Sequence, residues 1–192
     1  MKTALLASYA KDEPLLRFAR LLASSGYTLL GSAGTTKFLN ENSISCTDVA
    51  TIVGPPILGH RVVTLAREIY AGLLAATEED FKELEQMGIK PIDLVYVTLY
   101  PLEEAIADPK ATPKNVIEKT DIGGPTLLRA AAKGRRVTVS DPRQIDAVVE
   151  LLSGDLSEKE QEHILTQLAA AAERRVASYV AASAAYLEAR LK

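Results

Sequence analysis

The stretch Pro91-Ile92-Asp93-Leu94-Val95-Tyr96-Val97-Thr98-Leu99-Tyr100-Pro101 contains the clearest central strand in the chain. Its middle is a continuous run of β-branched, aliphatic and aromatic residues, without the polar alternation that a half-exposed strand shows. Such a run is typical of a parallel strand that is covered on both faces. Pro101 stops the run because proline cannot donate a ladder hydrogen bond. The stretch therefore predicts a parallel sheet with helices on both sides.

Shorter segments on either side of this stretch alternate between strand and helix patterns. Amphipathic helices separate the other predicted strands, which fall at residues 3–8, 27–30, 45–49 and 136–140. This alternation predicts an α/β fold, with a doubly wound, mostly parallel sheet flanked by helices. Alanine-rich helix follows, so we expect a single domain at 1–192, with an α/β core at 1–153 and C-terminal helices at 154–192.

Composition and charge argue against several classes of protein. The formal net charge is −3 and the pI is near 5.5, whereas nucleic-acid-binding proteins have a net basic surface. Cys46 is the only cysteine, which excludes a disulfide within the chain and predicts a cytoplasmic location. The N-terminal apolar run ends at Lys11-Asp12-Glu13 and predicts a buried strand, not a signal peptide or membrane span. His60 and His163 are isolated, and no metal site is predicted.

Two small-residue loops are candidates for holding an anionic ligand. Gly31-Ser32-Ala33-Gly34-Thr35-Thr36 follows a predicted strand and opens a helix, so that its hydroxyl and backbone N–H groups point outward. Asp121-Ile122-Gly123-Gly124-Pro125 opens a second helix, which ends at Lys133. On pattern alone, an ordinary turn before a helix is the more frequent explanation of either loop. Because ligands of doubly wound sheets bind at the carboxyl ends of the strands, we expect these loops to meet there.

These segments together resemble the IMP cyclohydrolase domain of the bifunctional purine-biosynthesis enzyme AICAR transformylase/IMP cyclohydrolase, over essentially the whole chain. The most specific match is Asp121-Ile122-Gly123-Gly124-Pro125-Thr126-Leu127-Leu128-Arg129-Ala130-Ala131-Ala132-Lys133, which is nearly the family signature. Leu99-Tyr100-Pro101 matches the end of the family's central strand, with Thr98 in place of its asparagine. The resemblance implies a methylglyoxal-synthase-like fold and a homodimer, with the transformylase half not represented.

The activity that the resemblance implies is closure of the purine ring. The carboxamide nitrogen of the formylated aminoimidazole carboxamide ribonucleotide attacks the formyl carbon, and loss of water gives IMP, without a metal or redox cofactor. This step needs a base and donors for the oxyanion. By resemblance, Asp121 is the base or orienting carboxylate, and Tyr100 and Lys133 are the donors. The implied substrate-binding residues are Lys11, Ser32, Gly34, Thr35, Arg61, Thr64, Thr98, Ile122 and Gly123.

One position departs from the family pattern at a catalytic residue. The family's Arg-Val-Lys-Thr-Leu-His-Pro corresponds here to Arg61-Val62-Val63-Thr64-Leu65-Ala66-Arg67, so Val63 replaces the lysine. Loss of one oxyanion donor typically lowers the rate by ~10²–10³, and Arg67 or Lys37 is a candidate substitute. Three hypotheses follow: a stand-alone IMP cyclohydrolase, a catalytically impaired purine-nucleotide-binding homologue or partner of a separate transformylase, and a related enzyme acting on another phosphate-bearing molecule.

Overall fold

The protein was analysed as a computed structural model that describes residues 2–59 and 61–191, so His60 lies outside the described residues. Within them, a parallel sheet runs in the order β3-β2-β1-β4-β5. Its strands are β1 (Lys2–Ser8), β2 (Tyr27–Gly31), β3 (Thr47–Asp48), β4 (Leu94–Thr98) and β5 (Val137–Val139). The predicted parallel sheet is therefore confirmed. Strand β3 is shorter than predicted because it pairs only with Leu30 and Gly31 at the sheet edge.

The helices alternate with the strands as the sequence predicts, and side-chain caps fix the starts of several of them. Asp12 caps the first helix, with its Oδ1 accepting from the N–H of Leu15 at 3.1 Å. Ser157 and Glu160 form a reciprocal capping box at the start of the last helix. The helices are α1 (Glu13–Ser24), α2 (Ala33–Glu41), α3 (Ala50–Val53), α4 (Arg67–Leu74), α5 (Glu78–Gln86), α6 (Leu102–Ala107), α7 (Pro113–Glu118), α8 (Gly123–Lys133), α9 (Ile145–Ser153) and α10 (Glu158–Glu188), with a 3-10 turn at Pro142–Gln144.

Alternate residues of the central strands face opposite sides of the sheet, and each side has its own apolar core. Leu6 and Tyr96 are fully buried in a cluster with residues of α1 and α9. Leu5 and Val95, one position away, are fully buried in a second cluster with residues of α4 and α8. This distribution follows from the two-residue period of a strand. It confirms the predicted doubly wound arrangement, with helices on both faces.

Helix α10 joins both cores. Leu168, near its start, packs in the first cluster, whereas Ala172 and Tyr179, further along, pack in the second. The helix reaches both because it passes β5 and α8. The sequence predicts several C-terminal helices, but a single helix of 31 residues is observed. Among the described residues, no helix combines the length and apolar composition that a bilayer span requires.

Candidate functional site

A cavity of about 820 Å³ opens at the carboxyl ends of the central strands. Its walls come from the ends of β1 and β4, the start of α2, the irregular segment 56–65, and the segment 117–124 that leads into α8. The volume is in the range of small-molecule sites. The position is the one at which doubly wound sheets bind ligands.

Most of the side chains and backbone segments predicted to form the site line this cavity. Lys11, Thr35 and Lys133 do not. In the described part of the chain, no group of three or more His, Cys, Asp or Glu residues is placed to hold a metal ion. The predicted residues that line the cavity are Ser32, Gly34, Arg61, Thr64, Thr98, Tyr100, Asp121, Ile122 and Gly123.

Asp121 is held at the cavity wall by contacts on both sides of its Cα. Its backbone N–H donates to the hydroxyl of Tyr179 at 2.8 Å, and its Oδ1 accepts from the N–H of Gly124 at 3.1 Å. Burial raises the pKa of Asp121, although the N–H groups of Gly124 and Gly123 partly oppose the shift. A carboxylate with a raised pKa is a better proton acceptor than a solvated aspartate at neutral pH.

Gly124 makes this position of the carboxylate possible. A Cβ at Gly124 would collide with the carboxylate of Asp121 and lie 2.6 Å from Cδ2 of Leu99. The first of these contacts would push the Asp121 carboxylate out of place, because the Asp121 backbone is held by Tyr179 and cannot shift with it. Glycine is therefore required here for close approach, which is a physical reason for the Gly-Gly pair in the quoted signature.

The start of α2 forms the part of the cavity best suited to an anion. Ser32 and Gly34 line it, and the first N–H groups of a helix have no intrahelical acceptors. Lys11 lies beside them: a Cβ at Gly34 would be 3.7 Å from Cε of Lys11. The ammonium of Lys11 donates to the carbonyls of Ser8 and Tyr9, the second at 3.3 Å. Its partial burial lowers the pKa of Lys11, and Asp12 opposes that shift.

Thr35, which the resemblance implies binds the substrate, is not among the residues that line the cavity. The residue is 0% exposed, and its Oγ1 accepts from the N–H of Ser8 and from Oγ of Ser32, each at 3.1 Å. It therefore ties the end of β1 to the start of α2. Thr98 lines the cavity, but its Oγ1 accepts from the N–H of Tyr9 at 2.9 Å and lies 2.7 Å from Oγ of Ser8. Both threonines order the backbone around the site.

Lys133 and Asp121 do not meet within one chain. Gly123 begins α8 at the cavity and Lys133 ends the helix. At a rise of 1.5 Å per residue, the Cα atoms of Gly123 and Lys133 are about 15 Å apart. Lys133 is exposed at the far end. The prediction that both ends of the signature face the same ligand is therefore not met in a single chain, because the helix carries them to opposite ends of its axis.

Neither predicted substitute for the missing lysine reaches the cavity. Val63 lines the wall, so an apolar side chain occupies this position. Lys37 pairs with Glu41 at 3.9 Å, and the Nη2 of Arg67 lies 3.7 Å from Sδ of Met87, in a separate depression. Neither residue is among those that line the cavity.

Arg61 lines the cavity but is engaged by Glu118. Its Nε and Nη2 donate to the two carboxylate oxygens at 2.9 and 3.0 Å, and its Nη1 donates to the carbonyl of Leu58 at 3.1 Å. The guanidinium lowers the pKa of Glu118 by hydrogen bonding. The pair joins the segment 56–65 to the end of α7. Arg61 can contact a phosphate only by leaving Glu118 or by sharing its donors.

Sequence reasoning missed several residues of the site. Tyr9 stacks edge-on against Tyr100, with ring centroids 4.8 Å apart, and Nζ of Lys119 lies 5.8 Å from the Tyr100 centroid. Tyr9 directly follows β1 and Lys119 comes two residues before Asp121, so their sequence positions were available signals. Tyr179 had no such signal, because it lies 58 residues away from Asp121.

Comparisons with known proteins agree on the relatives of this chain. Residues 14–126 match the family model described as the MGS-like domain. The chain is 42% identical over 188 residues to the bifunctional purine biosynthesis protein PurH of Shouchella clausii (strain KSM-K16), covering 95% of this chain and 36% of that protein. It is 41% identical over 167 residues to PurH of Aquifex aeolicus (strain VF5), covering 84% of this chain and 33% of that protein.

A solved structure extends the similarity to the whole fold. The crystal structure of ForH superposes with a TM-score of 0.85 at 32% sequence identity, and the match covers 98% of both chains. The chain spans about a third of the length of these PurH relatives but almost all of the ForH chain.

Proposed function

This chain belongs to the MGS-like domain family and is a homologue of part of PurH, and from that premise we propose that it acts in purine biosynthesis as an IMP cyclohydrolase. The activity is that of a hydrolase acting on cyclic amidines, named for the reverse reaction. The observation that supports it best is the convergence of Asp121, Tyr100 and the start of α2 on one cavity of about 820 Å³. The proposal needs no metal or redox cofactor.

In this proposal the phosphate group of the nucleotide determines how the substrate lies in the cavity. We assign its 5′-phosphate to the start of α2, where Ser32, the backbone at Gly34 and the ammonium of Lys11 supply donors and positive charge. Thr64, which is buried beside Gly123, and Arg61 then face the ribose side. This placement puts the heterocycle between Tyr100 and Asp121. It leaves the reacting atoms at the N-terminal end of α8.

Ring closure and the loss of water together transfer two protons to the formyl oxygen. The carboxamide nitrogen attacks the formyl carbon, and Asp121, with its raised pKa, accepts the proton that this nitrogen loses. The formyl oxygen becomes an oxyanion, to which the Tyr100 hydroxyl donates. Two protons reach that oxygen before it leaves as water: Asp121 returns the one that it accepted from the carboxamide nitrogen, and the formamido nitrogen loses the other as the ring C=N bond forms. The product is IMP.

A turnover assay tests this proposal. The purified chain is mixed with the formylated nucleotide, and IMP is followed by its absorbance and by chromatography. Asp121→Asn should abolish most of the rate while leaving IMP binding measurable, because the amide keeps the shape of the carboxylate but cannot accept the proton. A wild-type rate equal to the spontaneous background contradicts the proposal.

A second candidate is a purine-nucleotide-binding protein without turnover, or a partner of a separate transformylase. The observation that favours it is Val63 in the cavity wall, since valine offers neither charge nor a hydrogen bond. Tight IMP binding without turnover would support this candidate, whereas IMP formation would exclude it. A homodimer is part of either proposal, and light scattering after size-exclusion chromatography measures it.

A further inference from the structure

We propose that Lys119 is the cationic donor that stabilises the developing oxyanion on the formyl oxygen. This inference rests on the proposed cyclohydrolase function. It assigns to Lys119 a role for which Lys133, Lys37 and Arg67 are all too distant from the cavity. Three observations carry it: the charges in the cavity wall, the position of the ammonium, and the way the backbone is held.

The cavity contains few positive charges. Of the described residues that line it, Arg61 and Lys119 are the basic ones. Arg61 is committed to Glu118 through two hydrogen bonds. No ion pair joins Lys119 to a carboxylate in the described residues, not even to Asp121, two positions away. The Lys119 ammonium is therefore not engaged in a direct ion pair with the candidate base.

The ammonium of Lys119 is placed over an aromatic ring that faces the proposed heterocycle. Its Nζ is 5.8 Å from the centroid of Tyr100, within the range of a cation–π contact. Tyr100 is itself held edge-on by Tyr9. Tyr100 and Lys119 both line the cavity, so a ligand beside Tyr100 has the Lys119 ammonium on the same wall.

The backbone around Lys119 is fixed on both sides. On one side, the N–H of Lys119 donates to the carbonyl of Asn115 at 3.1 Å, and Oγ1 of Thr120 donates to the carbonyl of Val116 at 3.0 Å. On the other, the Asp121 N–H donates to Tyr179. Lys119 and Asp121 thus lie on one short, held segment whose two side chains both line the cavity. Such a segment is suited to presenting a base and a cation in fixed relation.

Substitution of Lys119 tests the role in turnover. Lys119→Met should lower kcat by ~10²–10³, the usual effect of losing one oxyanion donor, with little change in KM, and Lys119→Arg should restore part of the rate. Lys114→Met is the matched control, because Lys114 lies on α7, the short helix that Lys119 directly follows, and is exposed as Lys119 is but does not line the cavity. A kcat of Lys119→Met that equals the Lys114→Met value would overturn the inference. Thermal unfolding confirms that both variants are folded.

A binding experiment decides the inference even if the proposed function fails. The formyl carbon becomes C2 of the purine ring, so xanthosine monophosphate carries an oxygen at the position of the oxyanion, whereas IMP does not. Lys119→Met should lower the affinity for xanthosine monophosphate by about tenfold or more, which is the effect of losing one charged hydrogen bond. The affinity for IMP should fall much less. Equal loss for both nucleotides, or no xanthosine monophosphate binding by the wild type, would overturn the inference. Absence of IMP formation by the wild type would refute only the proposed function.

Discussion

Replacement of Tyr179 by phenylalanine should release Asp121 while leaving the core intact. The Tyr179 ring is 1% exposed in the second core, and its hydroxyl accepts the Asp121 N–H at 2.8 Å. Phenylalanine keeps the ring but leaves this donor without its partner, which costs about 1–3 kcal/mol. For a chain of this size, that loss lowers Tm by roughly 2–12 °C. Because Asp121 is then less well positioned, kcat should fall more than IMP affinity.

A control of the same chemistry lies on the same helix. Tyr186 is also buried on α10, but its hydroxyl has no hydrogen-bond partner among the described residues. Tyr186→Phe therefore removes an unpaired polar group and should leave Tm unchanged or slightly higher. Differential scanning fluorimetry on both variants compares the shifts directly. If Tyr179→Phe lowers Tm no more than Tyr186→Phe does, the hydrogen bond to Asp121 does not hold the site in solution.

Three further predictions address the cavity wall. Gly124→Ala should lower the free energy of unfolding by about 1–3 kcal/mol through overpacking, with a lower Tm, and remove turnover, because its Cβ would displace the Asp121 carboxylate. Gly34→Ala, whose Cβ meets nothing closer than 3.7 Å, is the stability control, and equal Tm values for the two variants would contradict the close approach. Burial raises the pKa of Asp121, so the unfolded chain loses this proton first and stability falls as pH rises from about 4, the free aspartate value, up to the raised pKa of the folded state. Asp121→Asn has no ionisable group here and lacks this loss of stability. The Tm of the variant minus the Tm of the wild type should therefore increase between about pH 4 and the raised pKa of Asp121, and stay constant above it. A difference in Tm that does not depend on pH would contradict the raised pKa of Asp121. Glu118→Gln should free Arg61 from its two-bond contact and tighten IMP binding severalfold in calorimetry; weaker binding would mean that the pair orders the cavity instead.

The fold was predictable because its signals are local. The run Leu94–Thr98 has no polar alternation, and a strand buried on both faces requires that composition. The cap at Asp12 and the first turn through Pro14 likewise specify the start of α1 from adjacent residues. The C-terminal segment was predicted less accurately: a uniform alanine-rich composition contains no stop signal, and it forms one helix.

The site was predictable only in part, because contacts across the fold have no local signal. The positions of Asp121 and Tyr100 in the cavity follow from the ends of the elements that carry them. The position of Lys133 could not be predicted in this way. The motif suggested that its first and last residues, Asp121 and Lys133, act on the same ligand, but α8 carries Lys133 about 15 Å from the helix start at Gly123. Thr35 matched a ligand-binding pattern and is instead enclosed between β1 and α2. Whether a hydroxyl faces a ligand or a neighbouring backbone depends on packing that the motif does not contain.

The order of the strands has a consequence for how the chain folds. Strand β1 is made first, yet it lies at the centre of the sheet, pairing with β2 through Leu5 and Leu30 and with β4 through Leu5 and Val95. Until Leu94–Thr98 leaves the ribosome, one side of β1 is an open edge that can pair with other chains. Asp121 acquires its Tyr179 contact later still. The N-terminal half should therefore aggregate when expressed alone, and during refolding the contact between Asp121 and Tyr179 should form after the secondary structure.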